Sequence, residues 1–221
     1  MENYFSSRRK FVGTVAAGAS ALMAGIPSLE GKPMDTTKAG EAEAWFNKVK
    51  GSHRIVYDAP EPHNGFPVIW SWVYYTSNNE TGSADNDLTA MVVLRHNAIP
   101  LAMEDRLWEK YKFGEMFKIN DNNTGAPALR NPFWVPQGKD LPMPAIEGMK
   151  RLQERGALFC VCNMALTVYS GVAGRAMGME AEEVKKDWLS GILPGVQVVP
   201  SGVWAVSRAQ EKKMAYCYAG G

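Results

Sequence analysis

The pattern of apolar and polar residues predicts an α/β fold. After residue 50, short β-rich runs alternate with longer helical patterns, and this alternation is typical of a mostly parallel sheet joined by helices. The predicted strands are residues 54–57, 89–95, 157–161, 196–199 and 214–218. The predicted helices are residues 100–112, 145–155, 163–177, 180–189 and 202–212, the last N-capped by Ser201.

Two segments depart from this regular pattern. Residues 66–75 could form a strand, but the alternating order favours the first crossover helix. Residues 119–144 hold five prolines and predict a long loop, which in a compact domain is usually functional or disordered. Their apolar side chains favour docking onto the domain rather than disorder; these are Leu129, Phe133, Trp134 and Val135.

The N-terminal residues predict export. Residues 1–26 pass from a polar start through Arg8, Arg9 and Lys10 into a short, mildly apolar stretch, which is the pattern of a signal peptide. Residues 7–12, SRRKFV, match the twin-arginine export motif. We therefore expect a periplasmic or other extracytoplasmic protein with no membrane anchor after signal removal. Residues 27–50 are predicted to be a linker and residues 51–221 a single domain.

Composition narrows the possible functions. The 221 residues are 46% hydrophobic and carry 24 basic and 23 acidic side chains, a net charge of +1. Removal of residues 1–26 leaves 21 basic and 22 acidic residues, so a basic surface for nucleic acid is not expected. The chain has three cysteines, Cys160, Cys162 and Cys217. Because the number is odd, at least one of them has no disulfide partner within the chain. A bridge between Cys160 and Cys162 would close a very small ring, which favours a free thiol.

Candidate chemistry lies where the predicted strands end, because ligands of parallel α/β sheets collect beyond the carboxyl ends of the strands. The candidate site residues there are His96, Asn97, Cys162, Asn163 and Ser201. Cys162 stands at a strand-to-helix junction, where the helix dipole favours a thiolate nucleophile. The alternative is that Cys162 is a small buried apolar residue, as Cys160 and Cys217 are expected to be.

His96 has several possible roles: a general base, a metal ligand, a partner of the thiolate, or a turn cap. Three histidines without a fixed spacing make a metal site a weak hypothesis, and none is predicted. Asp121, Asn123 and Gly125 are better interpreted as a turn than as a calcium loop. Phosphate-binding glycine loops, nucleophile elbows and HExxH are absent. No cofactor is identified.

Two stretches carry a family resemblance. Residues 156–165 are GALFCVCNMA, and residues 193–204 are LPGVQVVPSGVW, followed by RAQ at 208–210. These motifs and the order of elements from about residue 54 to 219 resemble the DsrE/DsrF-like family, with residues 119–144 as an insertion. The resemblance implies a three-layer α/β/α domain with a five-stranded parallel sheet, assembled into oligomers. It also implies sulfur carried as a persulfide on the cysteine after the third strand, here Cys162.

The leading hypothesis is an exported DsrE-like homo-oligomer that binds or transfers sulfane sulfur through Cys162. In this hypothesis, His96 and the N-terminus of helix 163–177 stabilise the thiolate, and the partner is a small sulfur-containing ligand. One alternative is an oligomeric binding module with inert cysteines, which uses the 119–144 insertion to hold a small ligand or partner. Another is a metal or redox protein that depends on His96.

Overall fold

The computed structural model describes residues 36–220, and a five-stranded sheet lies at their centre. All neighbouring strands are parallel, in the order β4-β3-β2-β1-β5. The strands are β1 (His53–Ala59), β2 (Leu88–Leu94), β3 (Leu158–Cys162), β4 (Val196–Val199) and β5 (Ala215–Tyr218). The predicted signal peptide and the first part of the predicted linker lie outside the described residues.

Helices cover both faces of this sheet, which confirms the predicted three-layer α/β/α fold. They are α1 (Thr36–Trp45), α2 (Phe66–Glu80), α3 (Asp105–Tyr111), α4 (Phe113–Met116), α5 (Met149–Arg155), α6 (Asn163–Met177), α7 (Ala181–Ser190) and α8 (Gly202–Glu211).

The central strands serve two apolar cores, because successive side chains of a strand point to opposite faces. In the larger core, Tyr57, Val92 and Phe159 pack with residues of α2 to α7. In the smaller core, Met91 and Cys160 pack with residues of α1 and α8. Every residue of β2 is buried, as the continuous apolar run predicts.

The linker prediction is wrong for residues 36–48. They form α1 and a short 3-10 helix, and Trp45 and Phe46 are buried in the smaller core. The Phe46 ring meets the Trp204 ring of α8 edge-to-face, with centroids 5.6 Å apart. Since α1 and α8 form the second helical layer together, this segment belongs to the domain.

Residues 66–75 are helical, so the crossover-helix prediction is confirmed. Gly65 precedes α2 with a left-handed φ of 89°, and Pro67 occupies the first turn, where its missing N–H costs no hydrogen bond. Val68, Ile69 and Tyr75 are buried against the sheet.

Two predicted helices start later than expected. Residues 96–102 form a 3-10 helix with Pro100 inside it, and Met103 pairs with Ile192 in an isolated bridge, so the helix predicted from residue 100 begins at Asp105. The helix predicted from residue 145 begins at Met149, because Gly148 before it has an extended backbone with φ −78° and ψ 173°.

Residues 120–147 contain no helix or strand but are docked onto the domain. Phe133 is buried, and the side chain of Asn131 donates to the carbonyls of Leu101 and Met103. The buried Asp140 carboxylate accepts two hydrogen bonds from Arg130, at 2.8 and 2.7 Å. Docking is therefore confirmed, but Leu129 and Val135 are exposed and do not contribute to it as predicted.

Candidate functional site at the carboxyl edge of the sheet

The outgoing connections of β3 and β4 run to opposite faces of the sheet. β3 continues into α6, which packs in the larger core, whereas β4 continues into α8, which packs in the smaller core. Cys162, the last residue of β3, is paired in register with Val199, the last residue of β4. Adjacent parallel strands that diverge in this way create the crevice in which α/β proteins commonly bind ligands.

Cys162 lies at this crevice as the N-cap of α6. Its sulfur accepts a hydrogen bond from the Ala165 backbone N–H at 3.3 Å. This bond places the sulfur at the positive end of the helix dipole. The residue is 6% exposed and belongs to the larger core, so little of its surface is open to a reactant.

Sequence reasoning missed one functional candidate, Arg95, which is a cationic neighbour of Cys162. It follows β2 directly and donates to both carboxylate oxygens of Asp58, at 2.6 and 3.0 Å. The hydrogen bond to Asp58 is the main cause that raises the pKa of Arg95, and partial burial opposes it. Leu94 pairs in register with Val161 of β3, so Arg95 and Cys162 follow at the same level of two neighbouring strands.

Contacts from three other strands hold Arg95 in place. Asp58 of β1 also accepts a hydrogen bond from the Tyr216 hydroxyl of β5 at 3.0 Å. Gly202, which follows β4, packs on the stem of Arg95: a Cβ there would lie 2.5 Å from the arginine Cβ. β1, β5 and the connection after β4 therefore all contribute to the position of Arg95, β5 through Asp58. The sequence contains one signal for this residue, because Arg95 stands directly before the candidate residues His96 and Asn97.

His96 lies elsewhere than predicted. Its backbone has a φ of 52°, its side chain is exposed, and its ring meets the Tyr169 ring edge-to-face at 5.8 Å. Within residues 36–220, no hydrogen bond or ring contact joins His96 to Cys162. Asn97 points its amide to Glu61, at 2.8 and 2.9 Å, and its carbonyl oxygen accepts from the Tyr169 hydroxyl. The predicted site residues thus divide between two places.

Asn163 and Ser201 flank the crevice. Asn163 is the first residue of α6, and its backbone carbonyl accepts the Thr167 hydroxyl at 2.9 Å. The Ser201 hydroxyl oxygen accepts the Trp204 N–H at 3.2 Å, which confirms the predicted N-cap of α8.

The remaining cysteines differ from Cys162. All three are free thiols. Cys160 is fully buried in the smaller core, and burial is the main cause that raises the pKa of its thiol, which disfavours the nucleophilic form. Cys217 in β5 is partly exposed, and its thiol donates to the Tyr218 carbonyl at 3.5 Å.

The structure gives no metal-binding cluster of His, Cys, Asp and Glu among residues 36–220. The Asp121 carboxylate accepts the Asn123 N–H at 2.7 Å, as in a side-chain-stabilised turn, so the turn interpretation of this segment is confirmed. In that same part of the chain, no helix combines the length and the apolar character needed to span a membrane.

Comparison with known proteins leaves the family open. No model of a known family and no curated protein matches the chain. Among solved structures, the chain is similar to MTH1491, a protein of unknown function from Methanobacterium thermoautotrophicum, at 18% identity and a TM-score of 0.40. The match covers 76% of this chain and 99% of that chain. The resemblance to DsrE/DsrF-like proteins therefore stays a prediction.

Proposed function

We propose that this protein binds or transfers sulfane sulfur as a persulfide on Cys162. The observation that carries the proposal is the position of the Cys162 sulfur, which accepts the Ala165 N–H at the start of α6. Arg95 stands at the same level on the neighbouring strand, because Leu94 pairs in register with Val161. The DsrE/DsrF-like motifs around residues 156–165 and 193–204 point to the same cysteine. Arg95 takes the thiolate-stabilising role first expected of His96.

The proposed step needs a thiolate and a sulfane donor such as thiosulfate. The Cys162 sulfur attacks the outer sulfur of thiosulfate, a new S–S bond forms, and the S–S bond of thiosulfate breaks. The electron pair of that bond leaves with sulfite, and a persulfide anion remains on Cys162. An acceptor thiolate then attacks the outer sulfur and takes it, and the electron pair returns to the Cys162 thiolate.

A small anionic donor fits the surroundings of Cys162. The cysteine is largely buried, whereas the neighbouring Arg95 side chain is 28% exposed. Arg95 uses Nε and Nη2 to bind Asp58, and its remaining N–H groups can attract an anion. The cation would then draw the donor toward the thiolate.

Mass spectrometry after incubation with thiosulfate or polysulfide tests the proposal. We expect added sulfur on Cys162, and loss of that label in Cys162→Ser. Cys217→Ser is the matched control, because Cys217 is more exposed than Cys162, and unspecific chemistry would label it first. A label confined to Cys217, or an unlabelled Cys162, would refute the proposal.

Export and assembly are further proposals from the sequence. If residues 7–12 direct twin-arginine export, replacing both Arg8 and Arg9 by lysine should keep the protein in the cytoplasm, which cell fractionation measures.

Light scattering of the purified protein tests the homo-oligomer implied by the DsrE/DsrF-like resemblance. A monomeric mass would contradict it.

A further inference from the structure

A second candidate site lies beyond the carboxyl ends of β1 and β2. It is an open cleft of about 370 Å³ between the loop after β1, Asn97 and the end of α4. Glu61, His63, Asn97, Phe117 and Lys118 are among the residues that line it. Neither Cys162 nor Arg95 is among them, so the cleft is separate from the proposed sulfur site.

Glu61 is the carboxylate of this cleft, and its orientation is fixed. The Asn97 amide donates to both of its oxygens, and Asn97 in turn accepts the Tyr169 hydroxyl. Within residues 36–220 no lysine, arginine or histidine forms an ion pair with Glu61. A partly buried carboxylate that neutral groups orient, with no cation paired to it, is a suitable receptor for an ammonium group.

The lining of the cleft also includes an aromatic ring and a cation, Phe117 and Lys118. Phe117 is nearly buried and packs on Tyr169, with ring centroids 5.1 Å apart. Lys118, the next residue, is exposed and has a left-handed φ of 56°. Its ammonium lies more than 4.0 Å from the Glu61 carboxylate, since no ion pair joins them. Glu61 and Lys118, which carry opposite charges, therefore both line the cleft without pairing with each other.

The loop after β1 has an unusual backbone at this cleft. His63, Asn64 and Gly65 have consecutive positive φ angles of 39°, 52° and 89°, and the His63 ring nitrogen lies 3.3 Å from the Tyr218 hydroxyl. Two adjacent non-glycine residues in this region are energetically unfavourable, and such strain tends to occur at functional sites.

We propose that this cleft binds a small zwitterion, an α-amino acid, with its ammonium group on Glu61 and its carboxylate near Lys118. Phe117 provides the apolar surface for the body of the ligand. The two charges of such a ligand match Glu61 and Lys118, which form no ion pair within residues 36–220, whereas a simple amine would use only one of them. The proposal does not depend on the reactivity of Cys162.

Thermal-shift and calorimetric titration of the full chain with the standard L-amino acids test this inference. At least one should raise the melting temperature, because a ligand that binds only the folded state stabilises it. For the best binder, the amine without the carboxylate and the acid without the ammonium group should both bind more weakly, by at least about tenfold. If no amino acid binds, or if the amine binds equally well, the proposal is wrong.

Variants then locate the binding. Glu61→Gln should weaken binding of the best amino acid at least about tenfold, and Lys118→Gln, at an exposed position, by about threefold to fivefold. Glu115→Gln, an exposed carboxylate of α4, is the matched control and should bind normally. If Glu61→Gln does not fold, Lys118→Gln still decides, because unchanged affinity in that variant excludes a role for the cleft as proposed.

Discussion

At the scale of single residues, a buried carboxylate organises the carboxyl edge of the sheet. Asp58 accepts two hydrogen bonds from Arg95 and one from Tyr216. Asp58 is buried, and Arg95 is partly buried. Because a buried charge that loses its partner is strongly unfavourable, this arrangement fixes the arginine beside Cys162.

We expect Asp58→Asn to lower the free energy of unfolding by about 2 kcal/mol, because the amide leaves the guanidinium of Arg95 without its counter-charge. Tyr216→Phe removes only one hydrogen bond to the same carboxylate and should cost about 1 kcal/mol. Urea unfolding at neutral pH, followed by circular dichroism, measures both. The prediction fails if Tyr216→Phe proves the more costly substitution.

Cys162 and Ser201 could be identified from sequence because both belong to local patterns, a strand end before a helix and an N-cap. The partners of Arg95 could not be identified from the sequence. Asp58 lies 37 positions before Arg95 and 158 positions before Tyr216, and they meet because β1 lies between β2 and β5. Strand order of this kind depends on the packing of the whole sheet, and no local pattern specifies it.

At the scale of secondary structure elements, α1 is the element whose role changes most between sequence and structure. Its few apolar residues and Gly40 in its interior make a weak local signal, and Trp45 and Phe46 are grouped at its end. Its burial is a tertiary effect, because the smaller core offers these two rings a surface beside α8.

We expect Phe46→Ala to lower the free energy of unfolding by about 3 kcal/mol, the usual cost of removing a buried aromatic ring. Lys48→Ala, at an exposed neighbouring position, should change it by less than about 0.5 kcal/mol. Urea titration compares the two variants with the parent chain. Equal stability of Phe46→Ala and Lys48→Ala would show that residues 36–48 act as a linker after all.

A charged cluster joins α3 to α7 and makes stability depend on pH. Arg106, Lys110 and Tyr111 donate to the Asp187 carboxylate, at 2.5, 2.7 and 2.7 Å. Burial alone would raise the pKa of Asp187, but these hydrogen bonds outweigh it and lower the pKa to about 2. The carboxylate therefore stabilises the fold in its ionised form.

An aspartate in an unfolded chain has a pKa of about 3.9. The stabilisation by Asp187 is thus fully present above about pH 5 and is lost as the pH falls toward about 2. Asp187→Asn should lower the free energy of unfolding by about 1–2 kcal/mol at neutral pH and by much less near pH 2. Urea unfolding across this pH range measures the difference.

Glu183→Gln is the control for this pH series, because Glu183 is an exposed residue of the same helix. It should follow the parent chain at every pH. A constant difference between Asp187→Asn and the parent chain, from neutral to acid, would mean that the cluster acts through packing and not through the ionised carboxylate.

At the scale of the whole molecule, the two cores share the strands between them. Residues 91 and 93 of β2 serve the smaller core, and residues 90, 92 and 94 serve the larger core. Val56 of β1 and Cys160 of β3 also serve the smaller core, whereas Tyr57 and Phe159 serve the larger core. Neither helical layer can leave the sheet without exposing one face of these strands, and this links the stability of the two layers.

We therefore expect the described part of the chain to unfold as one cooperative unit. Tryptophan fluorescence should report on both cores, since Trp45 lies in the smaller and Trp108 and Trp188 lie in the larger. Its urea transition should coincide with that of far-ultraviolet circular dichroism. Phe46→Ala and Leu166→Ala, one in each core, should each move both transitions together.

The double variant Phe46→Ala/Leu166→Ala gives a quantitative test of cooperative unfolding. The two side chains lie on opposite sides of the sheet, so their costs should add to within about 0.5 kcal/mol. If Phe46→Ala instead separates the fluorescence transition from the dichroism transition, the layer of α1 and α8 unfolds by itself. The sheet would then be held mainly by the larger core, and the crevice beside Cys162, which includes the start of α8, could open without global unfolding.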